Sequence, residues 1–122
     1  MFEIIFTSFF MLLLPLTMVI CGVWFIKSPP EPDSGIGYRT RRSMASAETW
    51  LAAHRICGRI WLISGIITLV IAILGGIFMA VTGMEADGRL YNVLLIEEAV
   101  QLALMLGAIP MTESRLKKTF HI

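Results

Sequence analysis

The stretch from Ile4 to Ile26, IIFTSFFMLLLPLTMVICGVWFI, decides the fold. It carries no charged side chain, and its length meets the ~20 apolar residues needed to cross a hydrocarbon layer. Two further runs are long and mostly apolar, from Ile56 to Val81 with Arg59 near its start and from Leu90 to Met111 with Glu97 and Glu98 inside it. The whole chain of 122 residues is 57% hydrophobic and 16% charged, with a mean hydropathy of +0.78. A soluble domain averages about 25% charged residues. These numbers predict an all-α integral membrane protein. It is expected to be a three-helix bundle forming one domain over residues 1–122, with a cytoplasmic loop and a juxtamembrane helix between the first two spans. Pro15 is expected to kink span one, because proline removes a backbone donor and crowds the preceding turn.

The placement of the charges is more informative than the net charge of +1. Lys27, Arg39, Arg41, Arg42, Arg55 and Arg59 lie between span one and the first turn of span two, and Arg115, Lys117 and Lys118 follow span three. Arg89 alone lies on the other side. The positive-inside rule then puts the N-terminus outside, and the loop and C-terminus in the cytoplasm. Trp24, Tyr38, Trp50 and Trp61 fall where an aromatic interface belt would, and Trp50 and Trp61 read first as interface anchors. No basic residue precedes span one, and the run is longer than a signal-peptide core, so no cleaved leader is expected. Cys21 and Cys57 read as small apolar residues. Neither a disulfide framework nor a metal pair spacing is indicated.

The loop is more than a spacer. SPPEPDSG follows Lys27, and its three prolines make a stiff, extended exit from span one. GIGYRT comes next, with Gly35 and Gly37 open to backbone shapes that other residues resist. SMASAETWLAAHRICGRIW then reads as helix. Ser43 or Ser46 can cap it, and Glu48 sits near the positive end of its dipole. Trp50 and Trp61, eleven positions apart, share a face at ~100° per residue, and His54 lies close to that face. The helix can run along the interface before turning in, or enter directly. Arg39, Glu48 and His54 offer a cation, an anion and a titratable donor at one headgroup-level site. Arg41 and Arg42 need no role beyond topology.

The segment GYRTRRSMASAETWLAAHRICGR resembles the signature of the SdpI family of bacterial membrane proteins. That signature runs G-x-R-T, a polar stretch with Ser, a Glu, a Trp, an Asn or His four residues later, and a Gly. Gly37, Arg39, Thr40, Ser46, Glu48, Trp50, His54 and Gly58 occupy those positions. The family often has proline after the Thr, where this chain has Arg41. The resemblance implies a module involved in immunity to a secreted, membrane-active peptide toxin. It also implies signalling through a cytoplasmic repressor held at the membrane. It covers roughly residues 10 to 80, and the chain is expected to be this module alone, without additional spans.

Span three holds Glu97, Glu98 and Gln101. Glu97 lies ~10 Å below the outer end of the span at 1.5 Å per residue. Charged groups at such depth are expensive and mark functional sites. Ala99, Ala103 and Gly107 form a small-residue seam on the opposite side, and span two has its own seam in Gly58, Gly65, Ala72, Gly76 and Ala80. The two seams are expected to pack together. That turns the polar face away from span two, toward span one or another subunit. Span one supplies Thr7, Ser8 and Thr17 but no cation, so a homo-oligomer is expected, a dimer first, with Glu97 or Glu98 near its axis. A shallower span three would instead leave both carboxylates solvated.

Several function classes are disfavoured. There is no phosphate loop, nucleophile elbow or HExxH. With His54 and His121 the sole histidines, a His-rich metal site is not expected. No enzyme activity, cofactor or nucleic-acid partner is expected. Juxtamembrane bases more often meet anionic lipid headgroups. Two readings stand. In the first, an SdpI-type resistance protein meets a cationic peptide through Glu85, Asp87 and the Glu97/Glu98 face. In the second, a small oligomeric transporter or channel uses the intramembrane carboxylates.

Overall fold

A computed structural model describes residues 2–82 and 88–122. Three α-helices make up the bundle, α1 (Phe2–Lys27), α2 (Ala47–Thr82) and α3 (Gly88–Phe120), with a short 3-10 turn at Pro32–Ser34. Within them, Phe9–Lys27, Ala47–Phe78 and Leu95–Phe120 are long and apolar enough to cross a membrane. The chain is a multi-pass membrane protein. Its outward surface is paved with Ile63, Ile66, Ile67, Ile71, Leu74 and similar residues, which suits contact with lipid chains. The connection between α2 and α3 that carries Glu85 and Asp87 lies outside the described residues.

The polar segment from Ala47 and the second span form one unbroken helix, so α2 enters the bundle directly, with no separate juxtamembrane helix. Ser46 is its N-cap. The Thr49 N–H donates to Ser46 Oγ (3.1 Å), while the Ser46 N–H donates to Thr49 Oγ1 (2.8 Å). This reciprocal pair is a capping box with Thr in place of the usual acid. At the other end of the chain, α3 runs well past Met111, through Pro110, to Phe120. Ala108, Thr112 and Leu116 recur at helical spacing and are fully buried. That buried stripe carries the helix beyond the point where the apolar composition of the sequence fades.

Helix pairing differs from the expectation of seam against seam. The tightest pair is α1 with α2, and α3 packs more loosely along α2. The α2 seam meets α1. A Cβ on Gly58 would stand 2.8 Å from the Gly22 carbonyl oxygen, and one on Gly65 would stand 2.9 Å from Val19. Ala99 and Ala103 of the α3 seam are exposed, and a Cβ on Gly107 would meet nothing within 4 Å. The buried face of α3 is instead Gln101, Ala108, Thr112 and Leu116. Seam spacing indicates which faces allow close approach; it does not choose the partner. Here the short distance between the Gly22 and Gly58 backbones chose α1. Pro15 is buried within a continuous α1, with its carbonyl 3.1 Å from the Cβ position of Gly65. Thr7, Ser8 and Ala80 lie outside the described side chains.

Candidate functional site

The loop end of the bundle is built around His54, which is completely buried. Its Nε2 accepts the Tyr38 N–H (2.9 Å), and its Nδ1 lies 2.8 Å from the Trp50 carbonyl. A neutral ring protonated at Nδ1 satisfies both bonds, since the carbonyl needs a donor and the amide needs an acceptor. The ring sits between Trp50 (4.3 Å between centroids) and Phe25 (4.8 Å). Trp50 in turn donates its indole N–H to the Pro30 carbonyl (2.9 Å). Thus one histidine on α2 holds the loop backbone at Tyr38, and its neighbour holds the loop at Pro30.

Gly37 has φ +112°, and a Cβ there would fall 2.7 Å from His54 Nε2 and 2.8 Å from Pro30 Cγ. The glycine is therefore required twice, by its backbone conformation and by the ring pressed against it. Thr40 and Ser43 close the next turn. Thr40 N–H donates to Ser43 Oγ (2.8 Å), and Ser43 N–H donates to Thr40 Oγ1 (3.1 Å). The buried Ser43 hydroxyl reaches back to the Tyr38 carbonyl (2.9 Å), and Thr49 Oγ1 reaches the Ser43 carbonyl (3.1 Å). The turn is thereby tied both to the preceding strand of loop and to the first turn of α2.

Contact with α3 comes from residues that the motif reading passed over. Tyr38 donates its phenol to Glu113 Oε1 (2.7 Å), with the Ile109 carbonyl 3.2 Å away. Arg42 pairs with Glu113 Oε2 at 3.1 Å, and its Nε donates to the Ile122 carbonyl (3.2 Å). Arg42 is therefore a structural partner as well as a topology charge. Burial pushes the Tyr38 phenol well above its ordinary range, and the Glu113 carboxylate adds to the shift. It stays a protonated donor at any physiological pH. Deeper in the bundle, Trp61 stacks on Phe25 (5.6 Å) and donates its indole N–H to the Met105 carbonyl (3.1 Å), so it joins all three helices. Trp50 and Trp61 thus both direct their indole N–H groups to backbone carbonyls within the bundle.

Arg39, Glu48 and His54 do not form one network. Arg39 donates to the Pro32 carbonyl and lies over the Trp50 ring, 5.7 Å from its centroid. Glu48 is exposed in the first turn of α2, and His54 is enclosed beneath the loop. Gly58 serves the α1 contact. Tyr38, Ser43, Thr49 and Glu113 complete the lock. Tyr38 stood inside the quoted motif, and Glu113 is an isolated acid just ahead of a basic tail. No motif spacing connects a loop tyrosine to an acid 75 positions later.

In the middle of the bundle, Gln101 is fully buried and donates its Nε2 to Glu97 Oε1 (3.2 Å). Glu97 and Glu98 are half-buried. The polar face that the sequence placed away from the helix contacts is in fact turned inward at Gln101. No group of three His, Cys, Asp or Glu side chains among the described residues is placed to hold a metal ion.

A profile of the SdpI/YfhL protein family matches residues 31–112, which takes in α2, most of α3 and the loop from Glu31, but not Pro30 or Glu113 of the lock. The chain belongs to the SdpI/YfhL family. It is also similar to "Uncharacterized protein YfhL" of Bacillus subtilis (strain 168), at 27% identity over 105 residues, covering 85% of this chain and 83% of the relative. No solved structure matches the chain significantly. In this SdpI/YfhL protein, the Gly37, Thr40, Ser46, Trp50, His54 and Gly58 positions each perform an identifiable packing or capping task.

The Glu113 contacts give a direct test of the lock. Glu113→Gln keeps an acceptor for Tyr38 but loses the charge pair with a half-exposed Arg42, and should cost less than about 1 kcal/mol. Glu113→Leu also strips the buried phenol of its carboxylate acceptor and should cost about 2 kcal/mol. Thermal unfolding of both variants in the same detergent checks the order. Equal losses would show that Tyr38 draws nothing from Glu113.

Proposed function

We propose that this chain is an SdpI-type resistance protein of the bacterial plasma membrane, protecting against a membrane-active peptide toxin and relaying its presence to a cytoplasmic repressor. The observation that carries this reading is the locked loop end. Nine of the ten basic residues gather where α1 ends, α2 begins and α3 ends. The Gly37–His54–Tyr38–Glu113 contacts hold that surface in one shape. A fixed cationic surface suits a protein partner at the membrane better than a loop that only sets topology. The positive-inside rule supports a cytoplasmic location for this end and for the C-terminus, with the N-terminus outside. The Glu97/Glu98 region, far from the lock, suits a cationic peptide arriving from the other side.

Expression in a toxin-sensitive strain tests the reading, with survival against the purified peptide as the measure. Protection is expected, and survival no better than that of the empty-vector strain would sink it. Reporter fusions at each terminus check the orientation.

A second reading, a small oligomeric transporter or channel, is favoured by the buried, unpartnered oxygens of Glu98 and Gln101 beside Glu97. Proton or organic-cation flux in proteoliposomes, lost in the E97Q/E98Q variant, would support it. A homodimer with Glu97 or Glu98 near its axis fits this reading, since both carboxylates are only half-buried within one chain. Light scattering in detergent reads its presence.

A further inference from the structure

The geometry points to a binding site for a primary ammonium group at Glu97, Glu98 and Gln101. Gln101 is four positions after Glu97 and three after Glu98, so its side chain neighbours both along the surface of α3. It is only 1% exposed. Its Nε2 is used by Glu97, but its own Oε1 has no donor, and neither does the buried Oε1 of Glu98. Buried acceptors without donors are costly. Two buried oxygens, on Glu98 and on Gln101, therefore lack donors beside the Glu97 carboxyl group.

Among the described side chains of the facing helices, none is a cation at this level, and Arg89 stands eight positions before Glu97 on α3 itself. On the facing helices, α1 has no Lys or Arg before Lys27, and α2 has none beyond Arg59. The missing component is a cation that also brings N–H donors, as a primary ammonium does. Such a group can donate to a carboxylate, to the second carboxylate and to the amide oxygen together, and charge-assisted bonds of this kind are the strong ones. Glu97 and Glu98 are half-buried, so the cluster reaches the edge of the bundle. A ligand with an apolar tail can therefore approach from the lipid. This deepens the resistance reading, since a lysine side chain on a membrane-active peptide has this chemistry, but the site stands on α3 alone.

The test uses the full chain in phosphatidylcholine nanodiscs with a radiolabelled long-chain primary alkylammonium. Saturable binding is expected at one per chain, above that of empty nanodiscs. The E97Q/E98Q variant should weaken it about tenfold or more, the worth of a charged hydrogen bond. The trimethylated analogue, which has the charge but no N–H, should compete about tenfold less well. Binding no greater than in empty nanodiscs would overturn the inference and leave the two oxygens to a proton on a carboxyl. Equal competition by the trimethylated analogue would overturn it too, and that comparison needs only the wild-type chain if the variant fails to fold. Protection without amine binding would sink this inference and leave the proposed function standing; amine binding without protection would do the reverse.

Discussion

Replacing Gly37 with alanine should unlock the loop from the helices at a cost of about 3 kcal/mol, among the largest effects expected of any single methyl group in the chain. Two causes act together. The backbone at Gly37 has φ +112°, a conformation that side chains resist. The added carbon would also stand 2.7 Å from His54 Nε2 and 2.8 Å from Pro30 Cγ. His54 cannot retreat, because it is fully buried and holds the Trp50 carbonyl and the Tyr38 N–H at once. The loop must move instead, which breaks the Tyr38 bond and leaves a buried amide unpaired. Gly35→Ala is the control: it too has positive φ, but its Cβ position has nothing within 4 Å. Thermal unfolding should show a clearly larger loss at Gly37. Proteolysis between Pro32 and Ser46 should become faster in that variant. Equal losses at the two positions would mean that backbone conformation alone matters, and that the His54 contact does not.

The second large effect is expected where α1 crosses α2. A Cβ on Gly58 meets the Gly22 carbonyl oxygen at 2.8 Å, and one on Gly22 meets the Gly58 carbonyl oxygen at 2.7 Å. Backbone cannot turn aside as a flexible side chain can, so either alanine must push the helices apart. In lipid, helix association depends on close packing, since the chains are as apolar as the side chains. A loss of about 2–3 kcal/mol is expected for each single variant. The double variant should lose less than the sum, because the first alanine opens the gap that the second fills. Gly107→Ala, with nothing near its Cβ, should be close to neutral. Additive losses in the double variant would show that the two glycines do not share one contact.

Much of the fold was legible in the sequence. Span count and helical class depend on hydrocarbon thickness and on the rule that lipid-exposed backbone must bond within its own helix, and the gathering of basic residues at one end follows the positive-inside rule. Those constraints act on each segment separately, so composition reveals them. The family was legible for a related reason: Gly37, Ser46, Trp50, His54 and Gly58 lie within one local stretch, where spacing along the chain is also spacing along a helix. The expected Arg39–Glu48–His54 network failed because nearness in sequence says nothing about which side chain turns inward. Arg39 lies over Trp50, Glu48 points out and His54 is buried.

By itself, the sequence determined a three-helix membrane protein of the SdpI/YfhL family with a glycine-marked, basic loop before its second span. Tertiary structure alone decided what the loop is for mechanically, and which helix faces meet. Glu113 reaches Tyr38 and Arg42 from 75 and 71 positions away, and Gly22 finds Gly58 across a helix crossing. Several faces of α3 were apolar or small enough to pack inward. The one chosen buries Gln101, Ala108, Thr112 and Leu116, because backbone approach and hydrogen bonds between distant segments are properties of the assembled bundle and of no single segment.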